Sequence, residues 1–277
     1  TKSTKTSDAK KACPERHFNM GIAEGNMMAV AAGLAASGQI VYASSFAMFA
    51  AGRAFEQIRN SIAYPHLNVK VCATHAGLTV GEDGASHQCI EDLAIMRAIP
   101  GMKVFQPCDA AETKAIIKGI AEIDGPCYVR LGRGGVEDVF DENYKFEMGK
   151  GVVLKKGSKV ALIATGMMVQ EALKASEELS KEGIEPTVVN IHTIKPIDEE
   201  LIVELAKSHD VLITCEEHNV VGGLGSAVAE VAVKQAPVKM AMVGVQDTFG
   251  ESGTPKALCE KYGLDAAAIV KKVKEVL

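Results

Sequence analysis

The sequence predicts an α/β protein of two doubly wound domains with mainly parallel sheets. Three observations predict it. Short apolar runs of strand length alternate with longer helical runs, as strands buried between helix layers require. The alternation lapses once, near the middle, into Gly132-Arg133-Gly134-Gly135 and a polar, acidic stretch of linker character. A chain of 277 residues also gives each half room for its own core. A first domain is therefore expected over 1–135, a linker over 136–150 and a second domain over 151–277.

In the first domain a helix is expected from about Met20 to Ala36, carried by the small apolar run Met27-Met28-Ala29-Val30-Ala31-Ala32, and so largely buried. Strand Gln39 to Ser44, helix Met48 to Ser61 and strand Val69 to Thr74 follow. Next come a helix near Ile90 to Arg97, strand Lys103 to Gln106, helix Ala110 to Glu122 and strand Cys127 to Leu131. In the second domain, strands at Lys159 to Thr165, Pro186 to Ile191, Asp210 to Cys215 and Lys239 to Val243 alternate with helices. A final helix runs from about Ala266 to Val276.

Composition excludes several functions. Lys+Arg 30 against Asp+Glu 35 leave a formal net charge of −5, which offers nucleic acid no broad basic footprint. Apolar residues reach 47%, yet charges and glycines interrupt them before any run can span a bilayer. No secretory signal opens the chain, so a soluble cytoplasmic protein is expected. The 7 cysteines have neither Cys-x-x-Cys spacing nor a His-rich partner tract, and read as reduced thiols. No metal site made by this chain alone is expected. All arginines lie in the first domain, which weakly places anion binding there.

Glu24, in Gly21-Ile22-Ala23-Glu24-Gly25-Asn26, sits in an apolar run where a carboxyl group is costly to ionise, unless it faces solvent in the first helical turn. The stretch Thr74-His75-Ala76-Gly77-Leu78-Thr79-Val80-Gly81-Glu82-Asp83-Gly84-Ala85-Ser86-His87-Gln88 puts polar groups on a strand end and the loop after it, where open parallel sheets place ligands. Histidine suits proton movement near neutral pH. Gly81 and Gly84 let the backbone turn and approach a ligand. Phe46 and Phe49, at spacing three, are expected on one helical face, an arrangement that a plain core stripe also produces. Gly222-Gly223-Leu224-Gly225-Ser226 faintly suggests a nucleotide loop, but its spacing favours a tight turn with close helix packing. Absent are a Gly-x-x-x-x-Gly-Lys-Ser/Thr loop and a Gly-Asp-Gly followed after about thirty residues by Asn.

In this order and spacing, the Glu24 and His75–His87 motifs resemble the pyrimidine-binding half of a transketolase. Ile194-Lys195-Pro196-Ile197-Asp198 and Glu216-Glu217-His218-Asn219-Val220-Val221-Gly222-Gly223 resemble that family's C-terminal domain, so the likeness covers essentially the whole chain. It implies ketol (two-carbon) transfer between sugar phosphates by thiamine diphosphate chemistry, in the pentose phosphate pathway. In that family the glutamate matching Glu24 hydrogen-bonds N1′ of the aminopyrimidine and activates the cofactor. Phe46 and Phe49 match its aromatic wall, and His75 and His87 its catalytic, substrate-binding histidines. Asp83 matches the carboxylate on the sugar hydroxyls. Arg133 and Ser3 match the phosphate ligands, and His218 a structural residue.

The missing Gly-Asp-Gly signature, read against that family, implies that the diphosphate and a divalent metal (Mg or Ca) are held by a partner, an N-terminal diphosphate-binding subunit. The chain would then be the C-terminal subunit of a split transketolase, self-associating in a heterotetramer. Gly52 stands where full-length transketolases carry a third aromatic, and Ala23 where many carry arginine. Ala23 points toward deoxyxylulose-phosphate synthase, whereas Thr74-His75 and Gly81-Glu82-Asp83-Gly84 have the transketolase form. A non-catalytic regulatory or assembly module of the same fold is a further alternative. In the family a βα unit precedes the position of Thr1, and the polar run Thr1 to Lys11 cannot be a buried strand. The first domain is therefore expected to lack its opening strand, leaving unpaired sheet edges. The chain would be the visible or truncated part of a longer one.

Overall fold

The computed structural model describes residues 3–4 and 6–277; Thr1 lies outside them. Its first half contains α1 (Ser7–Ala12), α2 (Glu24–Ala36), β1 (Val41–Phe46), β2 (Val69–Thr74), α3 (Asp92–Arg97), β3 (Lys103–Phe105), α4 (Ala110–Gly119) and β4 (Cys127–Arg130). The second contains β5 (Val152–Lys155), β6 (Lys159–Ala164), α5 (Met168–Lys181), β7 (Thr187–Asn190), β8 (Thr193–Lys195), α6 (Glu199–Ser208), β9 (His209–Asn219), α7 (Leu224–Gln235), β10 (Lys239–Val245), α8 (Pro255–Tyr262) and α9 (Ala266–Val276). Two 5-stranded sheets result, in the orders β1-β2-β4-β3-β8 and β10-β9-β6-β7-β5. Both are parallel except at one edge, where β8 and β5 pair antiparallel. The strands are the expected apolar runs: Val69, Val71 and Ala73 of β2 and Leu162 and Ile163 of β6 are wholly buried between helix layers.

Six elements differ from the sequence reading. Gly21, at φ 71, holds a left-handed turn that delays α2 to Glu24. That helix buries Glu24, Met28, Ala31, Ala32 and Ala35 on one stripe and exposes Asn26, Ala29, Val30 and Gly33. It is half-buried rather than largely buried. The expected helix over 48–61 is wound mostly as π-helix, Met48–Arg53 and Gln57–Ala63. Gly52 makes room there for the Met48 side chain, whose Cε would lie 2.4 Å from an added Cβ. β9 runs on to Asn219 because Glu216, Glu217 and His218, polar in sequence, are buried with partners. α1, β5 and β8 are short; α1 and β8 have no apolar run to announce them, and the three apolar residues of β5, Val152-Val153-Leu154, are too few to mark a strand beside the linker.

Residues of the second half complete the first sheet and tie the halves together. β8 is the edge strand beside β3, and Lys195 Nζ donates to the carbonyls of Arg97 and Ile99, both at 2.7 Å, closing the end of α3. His218 Nε2 accepts the Leu93 amide at 3.1 Å, so its Nδ1 carries the proton shared with Asn219 O at 2.6 Å. Burial pushes its pKa down to about 4, which keeps the ring neutral in this structural role. Under α3, the Arg130 guanidinium contacts both Asp92 carboxylate oxygens at 3.0 Å, and Tyr128 Oη donates to Asp92 at 2.7 Å. Arg130 thus holds an ion pair inside the sheet.

Candidate active site

The candidate residues gather where β1, β2 and β4 end. Phe46 and Thr74 are register partners at the carboxyl ends of β1 and β2, the edge at which open parallel sheets bind ligands. The next residue, His75, adopts φ 59, a left-handed conformation that is strained for a non-glycine. Its ring lies on Phe46, 3.8 Å between centroids and 13° from parallel. Phe49 lies 6.2 Å from Phe46 at 15°, and His87 meets Phe49 edge-on at 5.2 Å. The two phenylalanines do not share a helical face, because Phe46 ends a strand and only Phe49 is helical. The strand-to-helix turn brings them together instead.

Glu24 is buried on α2 and faces this group. Its Oε1 accepts from Ser45 Oγ at 3.3 Å and its Oε2 from Arg53 Nη1 at 3.1 Å. Arg53 is half-exposed, and its Cζ sits 4.6 Å from the centre of the Phe49 ring, within cation–π range. The Glu24 carboxyl therefore meets a guanidinium and a hydroxyl, not apolar groups alone. Arg53 was not legible as a site residue. Its signals were its place four residues after Phe49 and the confinement of arginine to the first half.

A second cluster lies beside the 3₁₀ turn Leu78–Asp83. Arg133 Nη1 donates to Val80 O and stands 3.6 Å from Glu82 and 3.8 Å from Asp83. Ser3 is exposed in a turn before α1. Among the described residues no hydrogen bond or ion pair joins it to Arg133. Gly77, Gly81 and Gly84 all have positive φ, which lets the backbone turn sharply between the two histidines.

The Gly222–Ser226 segment is a tight turn. Its helix N-terminus is filled by the chain's own carboxylate, since Glu216 accepts the Leu224 and Gly225 amides at 2.6 and 2.8 Å. Burial pushes the Glu216 carboxyl up to about 7, against the pull of those two donors. A Cβ on Gly223 would lie 2.0 Å from Glu216 Oε2, so the glycine is required by that contact.

The first cluster fits one end of a flat, hydrogen-bonding heteroaromatic ring. Phe46 and Phe49 offer near-parallel aromatic faces, and the buried Glu24 carboxyl is linked to Phe49 through the half-exposed Arg53. An aminopyrimidine has that shape and that need for a carboxyl partner.

The domain family described as transketolase, pyrimidine binding domain, matches residues 1–137, and transketolase, C-terminal domain, matches 149–269. The chain is 52% identical to a protein of Methanocaldococcus jannaschii described as a putative transketolase C-terminal section, covering 99% of this chain and 86% of that protein. It is 45% identical to a 6-deoxy-6-sulfo-D-fructose transketolase subunit of Clostridium sp., covering 95% of this chain and 82% of that one. Among solved structures, a split-gene transketolase described as an inactive beta4 tetramer superposes with TM-score 0.93 at 58% identity, covering 99% of this chain and 88% of that one.

Proposed function

This chain belongs to the transketolase family, and on that premise we propose that it is the C-terminal, pyrimidine-binding subunit of a split transketolase, transferring ketol units between sugar phosphates. The observation that carries the reading is the meeting of Glu24, Phe46, Phe49, His75 and His87 at the carboxyl ends of β1 and β2. Thiamine diphosphate, when bound, supplies the reactive carbon that carries the two-carbon unit between sugars. Phe46 and Phe49 bind its aminopyrimidine face and keep water from it. Glu24 holds a proton at N1′ of that ring. His75 and His87 move protons at the sugar's hydroxyl and carbonyl oxygens. Asp83 orients the hydroxyls, and Arg133 takes the phosphate, with Ser3 as a further phosphate contact.

An N-terminal subunit would hold the diphosphate with a divalent metal, Mg or Ca, and the two would assemble as a cytoplasmic heterotetramer in the pentose phosphate pathway. The similar subunit described as an inactive tetramer supports a chain that needs such a partner. Deoxyxylulose-phosphate synthase chemistry is the alternative. Supplying the assembled enzyme with either a ketose phosphate or pyruvate as donor separates them: ketol transfer from the first is expected, and decarboxylation of pyruvate instead would overturn the proposal.

Arg133→Ala is expected to raise KM for phosphorylated sugars about 10–100-fold, the loss of a charge-assisted contact of about 1.5–3 kcal/mol, and to leave unphosphorylated analogues nearly unchanged. Both sugar types are measured in parallel. Equal effects on the two would make Arg133 a support of the turn at Val80 and not a phosphate ligand.

A further inference from the structure

The loop that carries the substrate residues is gripped by the other domain. β9 ends in Glu216–Asn219, beyond the part of the strand that faces its own core, and delivers Glu217 to the turn after His75. The Glu217 carboxylate is buried, and its Oε1 accepts the Thr79 amide at 2.7 Å. It lies against the bare Cα of Gly77, where an added Cβ would come within 2.3 Å of the carboxylate. The backbone of Glu217 is itself fixed, because its carbonyl accepts from Arg130 Nη2 at 2.9 Å and Arg130 is locked on Asp92. On the far side of the turn, Gln88 Nε2 donates to Leu78 O, Gly81 O and Glu251 O, the last again from the second domain.

Packing alone does not need an acid here. An amide or an aliphatic chain could fill the same space without the cost of burying a carboxylate. Burial pushes the Glu217 carboxyl up, and Arg130 and the Thr79 donor offset that only in part, so the contact rests on its geometry. What a carboxylate adds is a short, directional acceptor for one backbone amide. That amide lies midway in sequence between His75 and Asp83, in a stretch whose backbone turns three times through positive φ glycines.

We propose that Glu217 is a positioning residue for the sugar-binding turn, fixing Asp83 and His87 from the second domain through the Thr79 amide. This rests on the proposed role of that turn in binding sugar phosphate. The second domain then contributes to substrate affinity, although none of its side chains need touch the substrate.

The test uses Glu217→Leu, which removes the acceptor, and Glu217→Gln, which keeps an oxygen acceptor but not the charge, each in the chain assembled with its diphosphate-binding partner. Amide hydrogen exchange at Thr79 is expected to speed up roughly tenfold or more in Glu217→Leu and less in Glu217→Gln. KM for a ketose phosphate should rise in the same order, with kcat within about threefold of wild type, and Glu217→Gln should recover most of the loss. Should Glu217→Leu fail to fold, the smaller effects in Glu217→Gln decide. Unchanged exchange at Thr79 would overturn the proposal, and so would faster exchange with unchanged KM. The exchange readout needs no turnover, so a wild-type assembly with no ketol transfer would count against the proposed function and not against the Glu217 contact.

Discussion

Glu24→Gln is expected to fold and assemble normally and to lose ketol transfer by about 10²–10⁴-fold, the range for removing a positioned acid–base group. The amide oxygen can still accept from Ser45 or Arg53, which engage the carboxyl at 3.3 and 3.1 Å, so the local structure should survive. What the amide cannot do is hold the proton at N1′ of the pyrimidine. Exchange of the cofactor's C2 hydrogen, followed by NMR in the assembled enzyme, reads this directly and should slow with turnover. Wild-type C2 exchange in the variant would assign Glu24 another role.

The second large effect is on stability. Arg130→Met should destabilise the fold by about 3–5 kcal/mol, because it leaves the Asp92 carboxylate buried without its counter-charge. Arg130 and Asp92 are 1% and 0% exposed, so solvent cannot replace the lost partner. The loss is a large share of the roughly 5–15 kcal/mol that holds an ordinary domain together. Arg130 also donates to Cys89 O and Glu217 O, and the same change should loosen the contact between the halves. Urea denaturation measures the first effect. A change below about 1 kcal/mol would mean that Asp92 is relieved by Tyr128 alone. Removing both charges, with Asp92→Leu added, should recover part of the loss, as expected when the penalty is an orphaned charge and not a missing bond.

Much of the fold was legible because parallel strands buried on both faces are apolar runs, as in Val69–Thr74, found at its expected bounds. What was missed depends on partners far away in sequence. Thr193–Lys195 is a strand only because β3 lies beside it, and Glu216–His218 extend β9 only because Leu93, Thr79 and the α7 amides satisfy them. Spacing also misled where it assumed an element: Phe46 and Phe49 meet across the end of a strand, not along a helix. In the site, motif order pointed to the residues that cluster, whereas Arg53 carried no motif and emerged only from its contacts with Glu24 and Phe49. Ser3 matched a short, degenerate stretch, and among the described residues no hydrogen bond or ion pair joins it to Arg133.

In the proposed division of labour, this chain supplies the pyrimidine half of a thiamine diphosphate site and a partner subunit grips the diphosphate. The most direct measurement is the rate of ketol transfer from a ketose phosphate to an aldose phosphate, with saturating thiamine diphosphate and Mg, by the purified chain with and without a diphosphate-binding transketolase subunit. No turnover is expected from the chain alone, and full restoration when the partner is added. Robust turnover by the chain alone would contradict that division of labour.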